Sequence, residues 1–405
     1  MRNRLTLLSA FSGLGGLDLG LEAANFHHLG SIENDECARR SITTNREDIW
    51  PLLDPGDISL LSRSIAPRDL GLRRRELSLL AGGPPCQPFS KAAQWSPSAR
   101  QGLQDPRSRC LHDFLRLIDV FLPRVVLIEN VSGFISGKVS ALADIESALI
   151  RINRRNKTHY AVQSRLIDSL WYGVPQSRVR AVIVITREGE LLTWPRPTHS
   201  DRPVRAWDAI GSLNGDESLP PTRGSWADLL PSIPEGWNYL WHTNHGGGSP
   251  LFGYRTRFWS FLLKLAKNQP SWTLPAQPGP STGPFHWENR PLTIREMLRL
   301  QTFPSSWAVE GTYREQVRQV GNATPPLLAE VVGRMIAIQV FRDSFASDRL
   351  RHGIRRVQRV PRASRVAPVP PEYIHLRGPH RDHPGTGKGP RPRALERPQP
   401  LSKYR

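Results

Sequence analysis

Apolar and polar positions along this 405-residue chain fall into two textures. Up to about residue 195, short unbroken apolar runs alternate with stretches whose apolar residues recur at helical spacing. The runs "LTLLSAF" (5–11), "HLGSIE" (28–33), "LSLLAGG" (77–83), "RVVLIEN" (124–130) and "RAVIVIT" (180–186) predict strands, while "LDLGLEAANF" (17–26) and "RCLHDFLRLIDVFL" (109–122) predict helices. Unbroken runs suit parallel strands covered on both faces, and their alternation with helices predicts a doubly wound α/β sheet. From Pro195 the chain turns to Pro, Gly, Trp and Ser with little periodicity, which predicts a smaller, loop-rich domain.

Regular structure returns at "RPLTIREMLRLQTFP" (290–304), where Thr293 and Glu296 have the spacing of a capping box. It returns again at "TPPLLAEVVGRMIAIQVF" (324–341), with Thr324 as expected N-cap, Pro325 in the first turn, and an apolar face that should pack on the large domain. The Arg/Pro-rich stretch beyond Phe345 shows no apolar pattern and predicts a disordered tail.

Charge narrows the partners. The 55 Lys and Arg against 36 Asp and Glu leave +19, a surplus that favours a polyanion such as nucleic acid. The body is basic even without the tail. Three cysteines (37, 86 and 110) with no Cys-x-x-Cys spacing suggest neither a disulfide framework nor a metal site, and fit a reducing, cytoplasmic compartment. The N-terminal apolar run breaks at glycines, so no signal peptide is expected, and no run of about 18 apolar residues predicts a membrane span.

In open α/β sheets ligands sit beyond the carboxyl ends of strands, so chemistry is sought where each run stops. The first runs into "FSGLGG" (11–16), whose glycines suit either a structural turn or backbone N–H groups facing a ligand. The second stops at Glu33, 20 residues after Gly13, where an acid can accept ribose hydroxyls. Two neighbouring runs stop at Gly82-Gly83-Pro84-Pro85-Cys86 and at Glu129-Asn130, which sets a thiol beside a carboxyl. A lone cysteine is more often a small buried apolar residue than a nucleophile, but a position between prolines in a polar loop is unusual for one. In "QSRVR", Gln176, Arg178 and Arg180 stand two apart and are expected on one strand face, needing either a structural carboxylate or a substrate oxygen.

Taken in order, "FSGLGG", "IEND", "GDI" (56–58), "GGPPCQPFS", "GLQDPRSRCLHDFLRLI" (102–118), "ENVSGF" (129–134), "YGVPQSRVR" (172–180), "RPLTIREMLRLQTFP" and "QVGNATPP" (319–326) make the chain resemble the cytosine-5 DNA methyltransferases from about residue 5 to 341. The resemblance implies a Rossmann-like S-adenosylmethionine-dependent methyltransferase sheet in residues 1–196, completed by 320–345. It also implies a target-recognition domain over 197–289 and a hinge and return segment over 290–319, with 346–405 as the tail. Cys86 is implied as nucleophile toward carbon 6 of cytosine, Glu129 as partner of ring nitrogen 3, and Arg178 and Arg180 as the pair orienting base and carboxylate. For S-adenosylmethionine it implies Phe11 at the adenine face, the backbone of Gly13, Leu14, Gly15 and Gly16 at the methionine part, Glu33 at the ribose, Asp57 and Ile58 at the adenine edge, and a further contact from Asn322. No metal is implied.

Residues 87–104 resemble the loop that closes over a flipped base, and Arg205, Arg223, Arg255 and Arg257 are candidate DNA contacts, although a solvated basic face accounts for any one of them. Two positions depart from the family's pattern, Asn34 near the adenine and Ala323 in place of a hydroxyl residue. The implied partner is double-stranded DNA, with no membrane, a candidate cognate restriction endonuclease, and a monomeric enzyme located with the nucleoid. A transfer-RNA-methylating relative and a non-catalytic DNA-binding homologue are the competing readings; the second should lack the thiol, the acid or the glycine loop, and all three are here.

Overall fold

The computed structural model describes residues 4–85, 109–136, 140–213, 224–255, 258–344 and 349–381. Six strands, β1 (Leu5–Ala10), β2 (Phe26–Ile32), β3 (Leu79–Gly82), β4 (Val125–Val131), β5 (Ala161–Asp168) and β6 (Val179–Thr186), make one sheet in the order β2-β1-β3-β4-β6-β5. The pairs β2-β1, β1-β3 and β3-β4 are parallel, as the apolar runs predict. β6 departs from that expectation, lying antiparallel between β4 and β5. Burial on both faces makes either direction read as the same unbroken run, so the reversal leaves no mark on the pattern. β5, half exposed and polar along most of its length, carries no apolar run and escapes the sequence reading.

Helices cover both faces: α1 (Gly16–Ala23), α2 (Glu36–Arg46), α3 (Ile58–Ser64), α4 (Arg109–Phe121), α5 (Leu142–Asn156), α6 (Ala206–Ile210), α7 (Ile294–Leu300), α8 (Tyr313–Asn322) and α9 (Pro326–Phe341). Alternate strand residues face opposite ways. Leu8, Leu80, Val126 and Ile183 pack with Leu61 of α3, Phe114 of α4 and Ile145 of α5. Leu7, Leu79, Leu127 and Val182 pack with Leu21 of α1 and Leu328 and Met335 of α9. α1 and α9 approach closely because glycines face the partner: a Cβ on Gly20 would lie 2.4 Å from the Pro326 carbonyl oxygen, and one on Gly333 2.7 Å from Ala24 Cβ.

Helix ends differ in detail from expectation. α1 stops at Ala23, and Phe26 already belongs to β2. The Thr293 and Glu296 box caps α7 as predicted. α9 begins one residue late, with Pro325 rather than Thr324 as N-cap, because a different hydroxyl serves its first turn: Thr302 Oγ1 accepts from Leu327 N at 3.0 Å. The apolar helical stretch Tyr313–Phe341 breaks at Ala323–Pro325, and its second part spends its side chains on the core.

Between residues 224 and 289 the described chain forms short 3-10 turns and isolated bridges, Phe261 to Thr282 and Lys264 to Phe285, around an aromatic core of Tyr239, Phe261 and Phe285. The expectation of a disordered tail is corrected for residues 349–381, which lie as a strap across the body. Glu330, on α9, accepts from Arg351 N at 2.8 Å and His352 N at 3.0 Å. Asp208, on α6, accepts from Val357 N, and Glu235 from Ser364 N, each at 2.9 Å. All three carboxylates are buried, and each also has a basic partner, Arg334, Arg205 or Lys267. Tyr373 then stacks on Trp226 at 5.6 Å and gives its hydroxyl hydrogen to Ser225 O. Backbone donors do this docking, and a hydropathy pattern does not register them.

Candidate active site

The strand ends of β1, β2, β3, β4 and the start of β6 converge at one edge of the sheet. After β1 the chain turns through Phe11 and Gly13, both in the left-handed region (φ 57° and 54°), and Gly15 (φ 84°) serves as N-cap of α1. Gly13 N donates to Glu33 Oε2 at 2.6 Å, and Asp35 N to Glu33 Oε1 at 2.8 Å. Burial pushes the Glu33 carboxyl upward despite these two donors. Each carboxylate oxygen keeps a further lone pair, so the pair of hydroxyls on a ribose can be accepted in addition.

The glycine loop is built from three sides. A Cβ on Gly16 would lie 2.1 Å from Thr324 O, and one on Gly15 2.6 Å from the Trp50 ring, so both are held against neighbours. A Cβ on Gly13 would find nothing nearer than Phe11 O at 3.9 Å, which leaves its backbone accessible to a ligand. Leu14 is buried, its carbonyl accepting from Trp307 Nε1 at 3.2 Å. Phe11 packs partly against Phe114. Asp57 caps α3 by accepting from Ser59 N at 2.7 Å, with Ile58 buried behind it. Asn322 is exposed at the end of α8, whereas Ala323 is buried; Asn34 is exposed.

Glu129 and Arg180 form the polar centre. Glu129 is opposite Val182 and Arg180 opposite Val131, so the two side chains share a face diagonally, with Arg180 Nε 3.1 Å from Glu129 Oε1. Both are nearly buried, and the alignment of this pair falls short of a hydrogen bond, leaving Oε1 without one among the described residues. Gly83 lies alongside: a Cβ there would sit 3.7 Å from Glu129 Oε2. Asn130 Nδ2 donates to Pro84 O at 2.8 Å, fixing the chain two residues before Cys86. Cys86 itself lies outside the described residues, as do the whole 87–104 stretch of the expected loop and Arg223 and Arg257.

The expectation that Gln176, Arg178 and Arg180 share a strand face is corrected, because β6 begins only at Val179. Arg178 is buried before the strand, its N–H donating to Asp168 Oδ1 and its Nη2 to Gly321 O, 2.9 and 2.8 Å away. Gln176 turns to the 271–274 segment, accepting from Leu274 N. Arg178 thus ties this turn to the end of α8, and only Arg180 faces Glu129. Arg205 is likewise engaged, in an ion pair with Asp208 at 2.7 Å that caps α6. Arg255 lies over the Phe258 ring.

Two supports were missed in the sequence. Asp168, at the end of β5, accepts from Leu170 N, Ser177 Oγ and Arg178 N, organising the whole Gln-Ser-Arg turn. Under the glycine loop, Ser12 Oγ and His28 Nε2 both meet Asp18 Oδ1, and the His28 ring packs tilted against Trp50, 4.6 Å between centroids. Nothing in the sequence pattern marks Asp18, and its burial with these partners shows that it braces the loop.

Residues 5–337 match the family model described as C-5 cytosine-specific DNA methylase. Among curated relatives, the type II methyltransferase M.SacI of Streptomyces achromogenes is 33% identical over 374 residues, covering 84% of this chain and 94% of the relative. M1.HphI of Haemophilus parahaemolyticus is 29% identical over 347 residues, covering 82% and 86%. A solved putative DNA modification methyltransferase from an Escherichia coli prophage superposes with a TM-score of 0.56 at 22% identity, over 84% of this chain and all of that one. The Entamoeba histolytica methyltransferase EhMeth does so at 0.54 and 17%, over 83% and 98%, which shows a common fold.

Proposed function

The chain belongs to the C-5 cytosine-specific DNA methylase family and is a DNA cytosine-5 methyltransferase; from that premise we propose that it methylates a flipped-out cytosine within a specific duplex sequence, through a covalent adduct with Cys86 and with S-adenosylmethionine as methyl donor. The carrying observation is the Glu129 and Arg180 pair beside Gly83 and Pro84, the residues that lead into Cys86.

Carbon 5 of cytosine is a weak nucleophile because it belongs to an aromatic ring. Addition of the Cys86 sulfur to carbon 6 forms a C–S bond and moves electron density to carbon 5. A proton shared between the Glu129 carboxyl and ring nitrogen 3 offsets that charge, while Arg180 holds the carboxyl in place and offers donors to the neighbouring carbonyl oxygen. Carbon 5 then takes the methyl group. Loss of its proton to a base and departure of the Cys86 thiolate restore the aromatic ring.

S-adenosylmethionine, when bound, supplies an electrophilic sulfonium methyl. The residues fit it: Glu33 has lone pairs for ribose hydroxyls, Gly13 leaves room over its backbone, Gly56 beside Asp57 packs against the Glu33 carbonyl, and Phe11 and Ile58 belong to one apolar cluster. Asn322 is assigned an outer contact. Because both faces of carbon 6 are covered in stacked duplex, the cytosine must leave the stack, at a cost of roughly a few kcal/mol. By analogy with the type II relatives, a cognate endonuclease is the proposed partner.

The test is methyl transfer from labelled S-adenosylmethionine to duplex DNA, with a duplex carrying 5-fluorocytosine as trap. Wild type should form a denaturant-stable adduct and Cys86→Ser none. An adduct that persists in Cys86→Ser, or transfer to transfer RNA but not to duplex, overturns the proposal.

A further inference from the structure

The strap of residues 349–381 lies beyond residue 337, where the family match ends, and the proposed catalysis makes no use of it. It contains nine arginines and a single acidic residue, Glu372. Its inward contacts are made by backbone N–H groups, by His352, Ile354, Val369, Tyr373 and Leu376, and by Arg356 toward Asp208, so Arg359, Arg362 and Arg365 are left on the outer side. Every one of them is exposed.

The strongest stretch is "RVQRVPRASR", in which Arg356, Arg359, Arg362 and Arg365 recur at every third position, the repeat of an extended polyproline turn. Its two ends are pinned, at Val357 to Asp208 and at Ser364 to Glu235. Arg356 stays within 3.8 Å of Asp208. Arg359, Arg362 and Arg365 have no ion-pair partner among the described residues. A free run of arginines would be a solvated charge cluster, whereas a run whose backbone is held at both ends on buried carboxylates carries its arginines at fixed positions along one path. Held in this way, arginine loses less freedom on meeting a phosphate and offers it two parallel donors.

We propose that the strap is a second DNA contact, a rail that binds the phosphates of the duplex flanking the recognised sequence, adding affinity without reading bases. The proposal rests on duplex DNA being the substrate. Phosphate contacts position a protein and carry no sequence information, so the rail should change affinity and its salt dependence while leaving site choice to other residues.

The experiment compares wild type with the triple variant R359Q/R362Q/R365Q on duplexes of constant site and increasing flank length, between 50 and 200 mM salt. These salt limits are those over which about six to ten phosphate contacts change affinity by orders of magnitude. The slope of log affinity against log salt should fall by about 3 in the variant, at about 0.9 per lost contact. Wild-type affinity should rise with flank length and the variant's should not, while methyl transfer at saturating DNA and the methylated sequence stay unchanged. An unchanged slope together with an unchanged flank dependence overturns the rail. If wild type neither binds nor methylates duplex, the reading of the substrate fails instead, and the two failures are thereby distinguished. Because the arginines are exposed, the variant should unfold in urea with the wild-type midpoint; the flank dependence of wild type alone decides the matter should it not.

Discussion

Arg180 Nε stands 3.1 Å from Glu129 Oε1 across antiparallel strands, with the two residues diagonal in the register and both side chains almost out of water. The arginine stands against the carboxyl while Oε1 keeps its hydrogen-bonding capacity among the described residues, which suits the role proposed for Glu129 at a substrate ring. Glu129→Gln keeps the shape and removes the charge. Single-turnover methyl transfer should fall by about 10²- to 10⁴-fold, the range typical of losing a positioned acid or base, with the urea midpoint little moved. A loss under tenfold would remove Glu129 from the chemistry.

Two glycines of one loop should respond differently to alanine. At Gly16 the new Cβ would meet Thr324 O at 2.1 Å, so the α1 and α9 pair must shift, and stability should drop by about 1–3 kcal/mol in urea unfolding. At Gly13 there is space, and the cost is the left-handed backbone alone, about 1–2 kcal/mol. The Gly13→Ala side chain would project into the space over the loop, so calorimetric binding of S-adenosylmethionine should weaken more than stability does. Equal effects at the two positions would contradict this division.

His286 gives the protein a pH-dependent weakness. Burial holds the imidazole down to about 3, from an ordinary value near 6.5, although Glu296 lies 3.5 Å away. Its Nδ1 accepts from Glu288 N, which a neutral ring can do and a protonated one cannot. The unfolded chain therefore binds a proton between pH 6.5 and 3 that the folded chain refuses. Stability contributed by the neutral ring is intact above pH 6.5 and is lost as pH falls toward 3, at up to about 1.4 kcal/mol per pH unit. Urea midpoints from pH 7 to pH 4 should fall less steeply for His286→Gln than for wild type.

A chain ended before Arg349 leaves Glu330, Asp208 and Glu235 without their strap donors. Each loss of a donor to a buried carboxylate costs about 1–3 kcal/mol, so the truncated protein should be destabilised by several kcal/mol. Tyr373→Ala should show part of that loss, through the emptied space beside Trp226. A truncated chain with the wild-type urea midpoint would show that these hydrogen bonds contribute nothing net.

The sequence by itself determined most of the elements and which polar residues stand at their ends. Apolar runs located five of the six described strands, Thr293 and Glu296 announced the start of α7, and the ends of runs singled out Glu33 and Glu129, the latter of which the fold sets beside Arg180. This worked because core burial and capping are local demands that each segment must meet with its own residues. Tertiary structure alone decided the direction of β6, the departure of Arg178 toward Gly321 rather than the sheet face, the bracing of the glycine loop by Asp18, and the docking of residues 349–381. Each of these rests on a partner that only folding brings close, from Ser12 and His28 beside Asp18 to Gly321 lying 143 residues from Arg178, or on a backbone N–H that every residue but proline possesses. Neither kind of information is written into hydropathy or spacing, so it emerges only when the chain has closed on itself.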